Sequence, residues 1–177
     1  TLSEEEAADF GVNTNAMEMI YFNVTIDPYF GYDPYGVVPH EYLHLLYAEE
    51  HGAFSRWDYH NEGLAECAVT RVWGANDIAA YVYAADYYED LRIGKSLVQW
   101  EYSNYSQYAQ AYVFWTYAAG QLGGMDGYST LFHTEGDPGS IDLLFQNELG
   151  KTFGEVQLGF MTAAWAQEGS GEASFEG

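Results

Sequence analysis

The sequence predicts an α+β, predominantly helical fold in one domain spanning residues 1–177. Three observations carry this. A chain of 177 residues with 48% hydrophobic residues is long enough for one core and too short for two ordinary ones. Residues 17–27 (MEMIYFNVTID) are rich in β-branched and aromatic side chains, the mark of a strand. From residue 39 onward, apolar residues recur in blocks of helical length, punctuated by Gly, Pro and Asp.

Taken in order, residues 1–16 are acidic and polar, with little periodicity, and read as a loose or helical lead-in to the strand. DPYFGYDPYG at 27–36 is dense in Pro, Gly and Asp and reads as a loop. Tyr32–Tyr35 within it are turn residues that could also line a cleft. Pro39 suits a first helical turn, where its missing N–H costs nothing, so a helix is expected from Pro39 to Glu50. A connecting loop at 51–60 leads to a second helix, Asn61 to Val72, ending at Gly74. A third covers Asp77 to Leu91, and 92–105 is irregular. A fourth, strongly apolar, runs from Ser106 to Leu122 and stops at Gly123-Gly124. Asp137-Pro138-Gly139 forms a turn before short helices near Ile141–Leu149 and Phe153–Trp165, and the tail 169–177 is loose. Within the single domain these form a reduced β/loop region (1–38), two helices bearing the chemistry (39–73), a helical subdomain (74–168) and the tail. Tyr87, Tyr88, Trp100 and Trp115 are expected in core or interface.

Charge excludes some partners. Five Lys and Arg face 27 Asp and Glu, a formal charge of -22. Such a surface repels nucleic acid and anionic membrane. It suits a salt-adapted (halophilic) or secreted protein, and the scarcity of Lys fits the former. Calcium binding would also use carboxylates, but no D-x-[DN]-x-[DN]-G loop is present. Cys67 is the only cysteine, so no intrachain disulfide forms. No apolar run approaches a membrane span, and no signal peptide opens the chain. Because Thr1 is not an initiator Met, a removed leader or pro-segment, and an extracellular or cell-surface location, are expected.

The chemistry lies in His40-Glu41-Tyr42-Leu43-His44. On a helix, residues i and i+4 share a face, so both imidazoles converge on one metal ion. Glu41 between them reaches a water as general base. This is the H-E-x-x-H arrangement of a zinc site. Leu43, Leu45, Leu46 and Tyr47 predict a largely buried helix, in which two histidines need partners. A catalytic zinc needs a third protein ligand. The three-histidine extension fails, because its Gly would fall at Tyr47 and its His at Glu50, with His51 one residue out of register. Asn61-Glu62-Gly63-Leu64-Ala65-Glu66 supplies the alternative. Glu62 can bind the metal, while Glu66, on the same face, accepts the N–H of a ligand histidine.

H-E-Y-L-H followed by N-E-G-L-A-E resembles the gluzincin metallopeptidases, the thermolysin-like clan, and is most similar to their hyicolysin-like (M30-type) branch. The stretch Tyr108 to Gly123 (YAQAYVFWTYAAGQLG) is similar to the family's downstream helix, so the resemblance covers about residues 38–124. It implies a zincin-like fold with an active-site helix, a Glu-ligand helix and a reduced N-terminal β region. Since residues 1–39 alone precede His40, a partner chain or a second copy is expected to complete the sheet. It implies one catalytic Zn2+ on His40, His44 and Glu62, with Glu66 supporting a histidine. The activity implied is peptide-bond hydrolysis by an endopeptidase. Related enzymes place a Tyr or His at the oxyanion. Tyr108 is the first candidate, with Tyr105, Tyr112 and His133 behind it. The alternative is a structural or assembly subunit with little proteolysis, and a third reading is a metal-dependent hydrolase of non-peptide substrates.

Overall fold

The computed structural model describes residues 34–52, 57–73, 84–93, 95–96, 98–101 and 106–166. The chain divides into two units, Thr1–Gly31 and Tyr32–Gly177, and every described residue belongs to the second. Seven helices are found among the described residues: α1 Pro34–His51, α2 Asp58–Trp73, α3 Ala84–Ile93, α4 Ser106–Gln121, α5 Met125–Phe132, α6 Pro138–Leu149 and α7 Phe153–Ala166.

This corrects the α+β, zincin-like expectation. Every regular element among the described residues is a helix, and none is a strand. The physical reason is visible in the core. The apolar faces of α2 and α4 are satisfied by each other and by α1, α3, α5 and α7, a helix-on-helix layering that needs no sheet. The segment 17–27 read as a strand, the lead-in 1–16 and the tail 169–177 lie outside the described residues.

Local chemistry explains where boundaries moved. α1 starts at Pro34, so Pro34-Tyr35-Gly36 opens a helix, and Pro39 lies inside it. Pro34 takes the first helical position, where a missing N–H is harmless, whereas Pro39 forfeits one intrahelical bond. α2 starts at Asp58, so Asp58, Tyr59 and His60 are helix, not loop. α3 is described from Ala84, and 77–83 lie outside the described residues. α5 was not expected, since Gly123 and Gly124 read as a stop. They do stop α4, at φ +102° and +73°, and the chain re-enters a helix at Met125. Gly127 lets it pack there, because a Cβ would lie 2.4 Å from the Ala119 carbonyl oxygen. Asp137-Pro-Gly is the entrance of α6: the Asp137 carboxylate accepts from the N–H groups of Gly139 and Ser140 at 2.8 and 3.1 Å. Gly150, left-handed at φ +67°, closes it. Thr152 and Glu155 form a capping box on α7: Glu155 accepts the Thr152 N–H at 2.7 Å, and Thr152 Oγ1 accepts the Glu155 N–H at 3.3 Å.

The core centres on Trp115 of α4, fully buried among Tyr59, Phe114 and Trp57. α1 is less buried than expected. Leu43 and Tyr47 face inward, but Tyr42 and Leu46 are exposed.

Candidate metal centre

The site forms where α1 packs on α2. α2 is buried from Tyr59 to Val69 except at Glu62, which is half-buried. It is held from behind at two points. The Trp115 indole donates to the Tyr59 carbonyl at 2.7 Å, and the Tyr128 hydroxyl donates to the Leu64 carbonyl at 2.9 Å. Gly63 permits the closeness, since a Cβ there would lie 2.0 Å from Trp115 Cδ1. With α2 pressed onto α4 on that side, Glu62 and Glu66 reach the His40/His44 side of α1.

His40 Nε2, His44 Nε2 and Glu62 Oε2 form a near-equilateral triangle. The two nitrogens are 3.1 Å apart, and each lies 3.3 Å from the carboxylate oxygen. Ligands held tetrahedrally about 2.0–2.1 Å from a zinc ion lie about 3.3–3.4 Å from one another. The three donors therefore fit such an ion, and they are the group among the described residues that could hold a metal. Two His and one carboxylate suit zinc better than calcium, which takes oxygen ligands. No all-carboxylate group of that kind occurs among the described residues.

On its far side His40 Nδ1 donates to Glu66 Oε1 at 3.0 Å. That bond fixes the tautomer, with the proton on Nδ1 and the Nε2 lone pair turned to the triangle. Burial lowers the His40 pKa, but hydrogen bonds and charge from Glu62 and Glu66 outweigh it and raise it to about 10. Burial raises Glu62, and the two histidines more than reverse this, bringing it to about 2. The pocket thus favours a positive charge strongly, and a proton competes with a metal for it. Beside the triangle, a donor and an acceptor are buried without partners: His44 Nδ1 and Asn61 Oδ1, one on each helix. Nothing in the sequence singles out Asn61 beyond its place before Glu62.

Glu41 is exposed on α1, next to His40, and makes no hydrogen bond or ion pair among the described residues. Tyr108, in the first turn of α4, brings its ring to 6.3 Å from that of His40. Trp100 packs against Tyr108, with ring centroids 4.9 Å apart. Trp100 therefore belongs beside the site and not, as expected, only to core or interface. Its signal was faint: one Trp in an irregular stretch, made relevant by a contact across eight residues.

The other candidates lie elsewhere. Tyr112 shares a hydrogen bond with Thr70 at 3.0 Å, towards the far end of α2. His133 meets Glu50 at 2.5 Å, near the opposite end of α1. His51 donates from Nε2 to the Phe132 carbonyl at 2.8 Å. His60 is fully buried against Trp115 and Tyr47. Tyr105 and the side chains of 32–35 lie outside the described residues. No helix among the described residues is long and apolar enough to cross a membrane. The chain matches no protein-family model, no curated protein and no solved structure.

Proposed function

We propose that the chain hydrolyses peptide bonds with the help of one zinc ion held by His40, His44 and Glu62. The observation that carries the reading is the triangle of donor atoms, with Glu66 locking the His40 tautomer behind it. When bound there, zinc supplies Lewis acidity that polarises a carbonyl and acidifies water. Glu41, exposed beside His40, takes a proton from water and returns it to the departing amine. The Tyr108 hydroxyl donates to the carbonyl oxygen as negative charge grows on it. Glu66 keeps the His40 ring oriented. The motif pair's resemblance to gluzincin peptidases supports the peptide bond as the target; it rests on those residues and not on a shared sheet.

The test is zinc content together with casein cleavage, with and without chelator, beside Glu41→Gln and Glu62→Ala. Stoichiometric zinc, chelator-sensitive cleavage, and a fall of about 10²–10⁴ in rate for Glu41→Gln are expected. A chain that holds no metal refutes the reading. Stoichiometric zinc without cleavage would instead make the chain a structural or assembly subunit.

A further inference from the structure

Between α3 and α4 the described residues 95–96 and 98–101 form a strap that is tied down at two places. At its start the Asp90 carboxylate accepts from the Ser106 hydroxyl and pairs with Lys95 at 3.2 Å. Ser96 Oγ then accepts weakly from the N–H groups of Val98 and Gln99 at 3.4 and 3.3 Å. At its end the buried Gln107 amide grips the backbone on both sides of Trp100. Its oxygen accepts from the Glu101 N–H at 2.5 Å, and its nitrogen donates to the Gln99 carbonyl. A side-chain amide that bonds the flanking C=O and N–H of one residue does what a neighbouring strand would do. In an extended segment that arrangement puts the residue's own N–H and C=O on the opposite edge. Neither backbone group of Trp100 is hydrogen-bonded among the described residues, and its indole Nε1 is buried without a partner there. Trp100 itself packs on Tyr108, which packs on His40.

We propose that the strap 98–101 is the substrate-binding edge of the metal centre, pairing through Trp100 with the backbone of an extended, cationic peptide. The proposal rests on the peptide-hydrolase reading of the same site. Adding a strand to an unpaired edge draws affinity from main-chain hydrogen bonds, so it selects conformation before sequence. Charge then selects among peptides. The chain carries a formal charge of -22, and two described cations, Arg92 and Lys95, are already paired with Glu89 and Asp90. Long-range attraction therefore favours Lys- and Arg-bearing segments and repels acidic ones. Gln107 is a positioning residue: it holds the edge and touches no substrate.

The test uses the full chain, freed of metal by chelator so that nothing is cleaved. The probe is a capped, fluorescein-labelled octapeptide of alternating Lys and Val, followed by anisotropy. Two further copies carry N-methyl groups on the odd or on the even amides. An edge pairs with alternate amides, so one methylated copy should bind about tenfold or more weaker and the other close to normally. A Glu-Val octapeptide should bind more weakly than Lys-Val, by a margin that shrinks in molar salt. Gln107→Leu should weaken Lys-Val binding about tenfold while zinc affinity stays unchanged. Absence of peptide binding, or equal binding of both methylated copies, overturns the proposal. If Gln107→Leu loses its helical circular dichroism, the methylated peptides on the unaltered chain still decide. A chain that binds peptide with the alternating penalty yet holds no zinc refutes the hydrolase reading and leaves the edge standing.

Discussion

Replacing Gly63 by Ala tests the packing that presents Glu62. The added Cβ would sit 2.0 Å from Trp115 Cδ1, 2.7 Å from Trp115 Nε1 and 3.0 Å from Ala111 Cβ. Carbon atoms prefer about 3.5–4.0 Å, so α2 and α4 must part by more than an ångström or the indole must turn. The indole is fully buried and donates to the Tyr59 carbonyl, so turning it leaves a buried N–H unpaired. Overpacking costs about 1–3 kcal/mol and the lost hydrogen bond about 1–3 kcal/mol. Ala regains about 1 kcal/mol over Gly in a helix. The net is a loss of about 1–5 kcal/mol, or about 2–20 °C in Tm for a chain of this size. Gly154, with nothing within 4 Å of its Cβ, is the matched control, and Gly154→Ala should be neutral to stabilising by up to about 1 kcal/mol. Thermal and urea unfolding followed by circular dichroism measure both. Because α2 is displaced, Gly63→Ala should also lower zinc affinity at 25 °C. A Gly63→Ala chain that melts with the parent would show that α2 and α4 do not touch as described.

Glu66→Gln should weaken zinc binding about 10–100-fold in competition with a chelating dye, since the carboxylate behind a ligand imidazole is replaced by a neutral acceptor; unchanged affinity would remove Glu66 from the site. His60 is buried with both ring nitrogens unpartnered. Desolvation brings its pKa down to about 3, opposed by the Leu131 backbone and the Asp137 charge without hydrogen-bond geometry. Its unfolded pKa is about 6.5, so the unfolded chain binds the proton first. Stability should therefore fall as pH drops from about 6.5 towards 3, and His60→Phe should flatten that slope in urea titrations. In the metal-free chain His40 acts oppositely. Raised to about 10, it contributes stability below pH 6.5 that is lost as pH climbs to about 10, a loss that bound zinc should suppress. Asp137→Ala removes the α6 cap and should cost about 0.5–2 kcal/mol with no effect on zinc binding.

Much of the centre was legible because it is written in local periodicity. His40 and His44 at i and i+4, and Glu62 and Glu66 at i and i+4, share faces on any helix. Tyr108 was within reach as the head of an apolar helix, and the structure brings it beside His40. Helix ends were less legible. Proline suits a first helical turn, and Pro34 and Pro39 both offered one; Pro34 takes it, and Pro39 lies inside the helix. The helix Met125–Phe132 was hidden because Gly127 is a poor helix former, and close approach to Ala119 selects it anyway.

By itself the sequence determined which residues could bind a metal and which helix faces they share, because helical spacing follows from backbone geometry alone. Only the tertiary structure decided that these faces meet in a triangle with edges of 3.1 to 3.3 Å. It also decided that the described core is built of helices without a sheet, and that Gln107 and Trp100 flank the centre. Those outcomes depend on contacts between residues far apart in the chain: Gly63 on Trp115, Trp115 on Tyr59, His40 on Glu66. Non-local packing of this kind leaves no periodic trace in the sequence, so it appears only once the helices are in place.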